Sequence, residues 1–267
     1  MLLECSNLSK AYGEVKALKD VSLALEKGLS LILGPNGSGK TTLLKIISRI
    51  TEPDKGSIKL FGKSYKEYPA HRIGFSFEKT IMSPRVKVRE YLEAMAEYRG
   101  EDNVDEVTSI FNLEKYQTRR FKELSQGYKR RFLVASAFVG EPEVVFLDEP
   151  FSNLDIVSKV ELSRAFQEIK KEINIVVVSH IVSGLKNLDS LVLLHNGRVV
   201  VNEVKGNITA VGGFRAFFKS GAVVENSVEE LISLIKEGDD LIRIEPVTPE
   251  DIIYEKLMQI ERKDHRV

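Results

Sequence analysis

Gly34-Pro35-Asn36-Gly37-Ser38-Gly39-Lys40-Thr41-Thr42 fits the spacing Gly-x-x-x-x-Gly-Lys-[Ser/Thr], and that spacing has a definite chemistry. Glycines let the backbone wrap until successive amides point inward at an anion, and a helix that follows adds its own unpaired N–H groups. Lys40 would reach the terminal phosphates of a nucleotide and the Thr41 hydroxyl a Mg²⁺ ion. Two more polar sets stand directly after short apolar runs: Asp148-Glu149 after residues 144–147, and Ser179-His180 after residues 175–178. Carboxylates so placed can hold a hard cation or accept a proton from water. A glycine-rich turn, a strand-ending acidic pair and a packed histidine are the purely structural readings. The loop and the acidic pair occurring in one chain favour the chemical one.

These groups need elements that aim them. Leu29–Leu33 is an apolar run before the loop, and Leu43, Leu44, Ile46, Ile47 and Ile50 recur at helical spacing after it, so the loop is expected between a buried strand and a helix. The runs 144–147, 175–178 and 191–194 are short, branched and apolar throughout, as strands covered on both faces are. Together they predict a parallel α/β sheet whose strand ends carry the polar groups, where such sheets bind ligands. Residues 2–27 alternate apolar groups with turns and predict a small antiparallel sheet carrying Tyr12-Gly13. Residues 57–61 and 73–77 predict further strands, the second ending at Glu78. From about 84 to 138 the spacing turns helical. Its far end is basic, with Lys115, Arg119, Arg120, Lys122, Lys129, Arg130 and Arg131 against Glu123. A solvated face and a phosphate-facing surface both fit this run, and the first is favoured for most of it.

With 267 residues the chain can bury a large core, and one α/β domain with an appendage is expected rather than two equal halves. Thirty-nine basic residues balance thirty-nine acidic ones, so the total charge recommends neither nucleic acid nor an anionic membrane as partner. The single cysteine, Cys5, excludes an internal disulfide framework and reads as a small residue in an early strand. No leader pattern and no run of roughly 18 apolar residues is present, which predicts a soluble chain. Beyond residue 205 lie Gly212-Gly213, an aromatic cluster at Phe214, Phe217 and Phe218, a β-like run at 222–225 and a strand through Ile242, Ile244 and Val247. Two capping boxes, at Ser227-Val228-Glu229-Glu230 and Thr248-Pro249-Glu250-Asp251, predict helix starts.

Leu124-Ser125-Gln126-Gly127-Tyr128 resembles the Leu-Ser-Gly-Gly-Gln signature of the ATP-binding cassette family. The other motifs of that family stand around it in order: Tyr12, the glycine loop, Glu78 where glutamine is usual, residues 144–150 ending Asp148-Glu149-Pro150, Ser152-Asn153-Leu154-Asp155, and Ser179-His180. The resemblance implies a nucleotide-binding α/β domain over residues 1–204, with a helical signature subdomain at about 84–138, an antiparallel β subdomain and an α+β accessory segment over 205–267. It also implies ATP and Mg²⁺ as cofactors. Tyr12 would stack on adenine, Gly34–Thr42 would cradle the phosphates, and Thr41, Asp148 and Glu78 would attend the metal. Glu149 would be the base for the attacking water and His180 its γ-phosphate partner, while Ser125, Gly127 and Asp155 would serve ATP held by a second ATPase subunit.

The family further implies ATP-driven head-to-tail dimerisation that energises a separate transmembrane permease subunit, with the chain cytoplasmic and peripheral on the membrane's inner face. The close of the chain, around Pro246-Val247-Thr248-Pro249, resembles cassettes of two-component exporters and inclines the expectation to export. Two departures stand out. Glu78 puts a carboxylate where an amide is usual, and Gln126 and Tyr128 replace signature letters while leaving Ser125 and Gly127. The competing class is a soluble cassette acting on DNA or ribosomes. The stretch between Lys40 and Ser125 is too short for a long coiled coil and each motif occurs once, which disfavours it. A phosphate-transferring kinase would leave the signature unexplained.

Overall fold

The structure, a computed structural model, describes residues 1–180, 185, 187–204, 214–221, 223–225 and 241–246. Both capping boxes, Gly212-Gly213 and everything from Val247 onward lie outside the described residues. Two compact units divide the chain, one of Met1–Ser183 with Asn187–Ile208, the other of Gly184–Lys186 with Thr209–Val267.

In the first unit the centre is a six-stranded sheet in the order β10-β9-β3-β8-β7-β6. Its strands are β3 (Leu29–Leu33), β6 (Ile73–Ser76), β7 (Val144–Asp148), β8 (Asn174–Ser179), β9 (Ser190–His195) and β10 (Arg198–Val204). The inner strands pair in parallel, β3 with β8 and β9, β7 with β6 and β8. Every residue of β3 and of β7 is buried, because both faces of these strands are covered. That is why their sequences read as unbroken apolar runs. The edge differs from a wholly parallel sheet: β10 returns antiparallel to β9, with His195 opposite Arg198 across Asn196-Gly197. Both turn residues have positive φ, 49° and 76°, the geometry that makes Asn-Gly a tight hairpin signal.

A second sheet, β2-β1-β4-β5, is built on β1 (Leu3–Tyr12) paired antiparallel with β2 (Val15–Leu25) and with β4 (Lys55–Leu60), with β5 (Lys63–Ser64) at its edge. Between the sheets lies α1 (Lys40–Ile47), whose Leu43, Leu44, Ile46 and Ile47 are fully buried. These pack in one core with Leu3, Leu8, Val21 and Ile58 of the antiparallel sheet and with Ile32, Phe146, Val178 and Leu194 of the parallel one. Ile50 does not continue this stripe; it lies past the helix end and is 62% exposed. Cys5 is buried in β1, as its place in an early strand suggests.

The segment after residue 84 carries α2 (Val88–Arg99), α3 (Val104–Ile110) and α4 (Gln126–Ser136), and α5 (Ile156–Ile169) follows β7. Aromatic contacts knit them: Tyr91 meets Phe132 edge-on, and Phe166 of α5 meets both Phe138 and Phe151. The second unit contains a three-stranded antiparallel sheet, β12 (Val223–Glu225), β11 (Phe214–Phe218) and β13 (Leu241–Pro246). The expected aromatic cluster is therefore a central strand. No helix among the described residues is long and apolar enough to cross a membrane.

Candidate functional site

The glycine loop leaves β3 at its carboxyl end and enters α1. Gly39 is the residue before the helix, at φ 107°, and a Cβ there would lie 2.6 Å from the Ala17 carbonyl oxygen. Gly34 is equally confined, since a Cβ would meet Leu194 O at 2.3 Å and Ser38 Oγ at 2.6 Å. Both positions exclude side chains for the loop to close on itself, and α1 starts without a side-chain cap, so its first amides remain available. Ser38 Oγ is buried and finds no hydrogen-bond partner among the described residues. Lys40 is 7% exposed and donates from Nζ to the carbonyls of Gly34 at 2.6 Å and Pro35 at 3.0 Å. A buried ammonium and helix-start amides without a side-chain cap form a cradle that suits an anion.

Facing it are the carboxylates. Asp148 ends β7 and is 3% exposed. Burial, then the nearby Glu149 and Glu78 charges, push its carboxyl from the ordinary 3.8 up to about 6. Three carboxylates against the cations Lys40 and Arg130 leave a site short of positive charge, and the donor set is oxygen, the type a hard dication takes. Burial lowers the Lys40 value, while the charges of Glu149, Asp148 and Glu78 act the other way. Lys40 thus feels all three carboxylates at once.

Glu149 is 8% exposed and has φ 49°, an unusual conformation for a glutamate. It is held there by three donors from the end of β8. Ser179 Oγ donates to Oε2 at 2.8 Å, and the His180 amide and Nδ1 both lie 2.8 Å from Oε1. The ion-pair geometry at Nδ1 carries charge only when the ring is protonated. His180 itself is 43% exposed on its side chain. Glu78 lies two residues past β6 and is exposed. The strand ends therefore bring together Lys40, Asp148, Glu149, His180 and Glu78 around the loop residues Gly34, Pro35, Asn36, Gly37, Ser38, Gly39, Thr41 and Thr42. Thr41 and residues 35–37 are exposed, Thr42 half-buried. Tyr12, 47% exposed, ends β1 opposite Val15, on the hairpin whose Ala17 abuts Gly39.

Ser125, Gly127 and Asp155 are not brought to this cradle by any hydrogen bond among the described residues. Ser125 is the cap of α4, its Oγ accepting from the Tyr128 amide at 3.3 Å. Asp155 caps α5, accepting from the Ser158 amide at 2.8 Å and its hydroxyl at 3.0 Å, and the backbone amide first holds its carboxyl below the usual value. Both are exposed. At Gly127 a Cβ would meet only ordinary contacts, Leu154 Cδ2 at 3.6 Å being nearest.

The basic run is a solvated face for most of its length, with two exceptions at its far end. Lys115, Arg119, Arg120 and Lys122 are exposed, as expected, but Arg130 and Arg131 are 5% and 4% exposed. Arg131 pairs with Glu161 at 2.7 Å and lies over the Tyr128 ring, while Arg130 turns inward to the strand ends. Its spacing of four from buried Val134 puts both on one helix face, a signal that a count of charges overlooks.

Comparison with known proteins accords with this geometry. The family described as ABC transporter matches residues 18–152. The chain belongs to the ABC transporter family. The cassette is 32% identical over 214 residues to the glycine betaine uptake system ATP-binding protein YehX of Escherichia coli (strain K12), spanning 74% of this chain and 70% of that protein. It is 33% identical over 199 residues to the ABC transporter ATP-binding protein NatA of Bacillus subtilis (strain 168), with 70% and 81% covered. Among solved structures, the ATP-binding subunit of an ABC transporter superposes with a TM-score of 0.68 at 27% identity, covering 78% of this chain and 92% of that one. A dimeric cassette bound to ADP and Pi shares the fold at 23% identity, with a TM-score of 0.67 over 76% and 98% of the two chains. The cassette is an ATP-binding ATPase of transporter type, and the DNA or ribosome alternative gains nothing from these relatives.

Proposed function

We propose that the cassette binds MgATP at the end of β3 and hydrolyses it in a head-to-tail pair of ATPase subunits that drives a separate transmembrane permease. The observation that carries this is the convergence of buried Lys40 with Asp148, Glu149 and Glu78 at the ends of parallel strands, beside a loop that only glycines can close. Gly34–Thr42 bind and orient the β- and γ-phosphates through amides and Lys40, and Tyr12 offers an exposed ring to adenine. Thr41, Asp148 and Glu78 would hold Mg²⁺, which supplies neutralisation of the phosphate oxygens when bound. Glu149, fixed by Ser179 and His180, takes the proton of the attacking water at its carboxylate. His180 keeps its other ring nitrogen for the γ-phosphate, and Nδ1 toward Glu149 sets that orientation.

Exposed Ser125 and half-buried Gly127 open α4, hydrogen-bonded to no cradle among the described residues, and Asp155 stands at the start of α5. In a pair, these would complete the site on the partner subunit. Residues 1–204 are taken as the ATPase domain, 84–138 as its helical subdomain and 205–267 as an accessory segment. No helix among the described residues can cross a membrane, so transport requires a membrane-spanning chain, with the cassette on the cytoplasmic side where ATP is. Relatives are named for glycine betaine uptake and zinc import; the energising step here is separate from the choice of substance, which falls to the permease. The test is ATP hydrolysis by the purified cassette against its concentration, with Mg²⁺ or with chelator. Turnover that needs Mg²⁺ and rises more steeply than linearly in protein supports paired sites. Turnover linear in protein, or indifferent to the metal, overturns the reading.

A further inference from the structure

Arg130 lies in the second turn of α4, the helix that Ser125 opens. Its guanidinium is withdrawn from water, so its donors need acceptors inside the protein. Nη1 donates to Phe77 O at 2.9 Å, and Nη2 donates to Asp148 O. The first carbonyl immediately precedes Glu78; the second belongs to Asp148 itself. Burial lowers the Arg130 value, and the charges of Asp148, Glu78 and Glu149 in turn support its positive form. One planar group thus bridges the ends of β6 and β7, beside the two carboxylates assigned above to the metal.

The bridge matters because, among the described residues, β6 is an edge strand paired with β7 alone. Its beginning is fastened by a second arginine of the helical segment: Arg99 at the end of α2 donates from Nη2 to Ile73 O at 3.4 Å, and from Nη1 to Ala137 O at 3.0 Å. The helical segment therefore grips β6 at both ends, and Glu78 is set by helices as much as by the sheet. A small hard cation requires near-ideal octahedral geometry. A fork with fixed spacing between its nitrogens can hold two carbonyls in register, as a point-charge ammonium does not.

We propose that Arg130 is a positioning residue that locks Asp148 and Glu78 into one divalent-cation site and carries displacements of the signature helix to that site. The inference rests on the reading of those carboxylates as metal holders. It makes Mg²⁺ affinity, rather than ATP affinity, the quantity that α4 controls. A shift of α4 that slackens the bridge loosens the metal while the phosphate cradle on β3 and α1 stays as it was.

The experiment measures ATP affinity by calorimetry in chelator and in Mg²⁺, for the wild type, Arg130→Lys and Arg130→Met, with thermal melts to verify folding. Both variants should bind ATP in chelator within about threefold of the wild type and lose about tenfold or more of the gain that Mg²⁺ confers, the size expected when a residue supporting metal ligands is removed. In steady state kcat should fall, the KM for ATP in Mg²⁺ should rise with the affinity lost there, and the Mg²⁺ activation constant should rise. Arg130→Lys retains the charge and the packing, so it carries the test if Arg130→Met melts early. A wild-type Mg²⁺ response in Arg130→Lys would show that charge suffices and overturn the bridge, as would an unchanged response in both variants. If the wild type itself gains nothing from Mg²⁺, the reading of the site fails instead.

Discussion

Asp148 is the least comfortably placed charge of the site. Its carboxyl is raised to about 6 by burial and by Glu149 and Glu78. A raised acid value means that the folded state binds the proton more tightly than the unfolded chain. Its contribution to stability is therefore present at low pH and lost as pH rises from about 4 through 6. Asp148→Asn should accordingly stabilise the ligand-free protein at neutral pH, by about 1–3 kcal/mol, while losing Mg²⁺-dependent turnover. Thermal unfolding in chelator against pH tests this, and a variant less stable than the wild type at pH 7 would contradict it. Lys40→Ala removes the one buried ammonium from the loop, and kcat should fall by about 10²-fold or more; turnover near the wild-type rate would remove the loop from the mechanism. Residue types and order marked Lys40, Asp148, Glu149 and His180 as one site, because their chemistry depends on what each group is. That Glu149 is held by Ser179 and His180 together depends on β7 and β8 being neighbours, which no local pattern encodes.

At the scale of the element, α4 opens with the Ser125 cap and carries at Gly127 a glycine whose lack of a side chain does little for the folded chain. The Cβ space at Gly127 is ordinary, so Gly127→Ala should melt within about 0.5 kcal/mol of the wild type yet lose ATP-dependent association and turnover. Retained association in a folded Gly127→Ala protein would exclude α4 from the partner's site. Ser125→Ala should cost about 1 kcal/mol as a lost cap, in addition to its effect on turnover. Strands β3, β7, β8 and β9 were legible as apolar runs because burial on two faces writes itself into composition. The return of β10 was carried by Asn196-Gly197, a two-residue signal easily passed over beside long apolar runs. Arg130 was not singled out from the basic run for a related reason: a charged residue reads as exposed unless helical spacing places it on the buried face.

Across the whole molecule, the proposed pairing turns on the exposed starts of α4 and α5. Glu149→Gln keeps the bonds from Ser179 and the His180 amide in reach but withdraws the base, so kcat should drop by about 10²–10⁴-fold and MgATP should trap a dimer. Sizing with light scattering in MgATP reads this out, and a monomer at all nucleotide concentrations would defeat the paired-site model. The sequence by itself determined the family, the parallel sheet and the order of the chemical groups. Glycine loops, apolar runs and carboxylate pairs are local requirements that must be met residue by residue. Only the tertiary structure decided which groups touch: the clasp on Glu149, the clash that forbids side chains at Gly34 and Gly39, and the turn of Arg130 toward Phe77 and Asp148. Those contacts join strands far apart in the chain, and their partners are selected by packing, which a linear pattern does not contain.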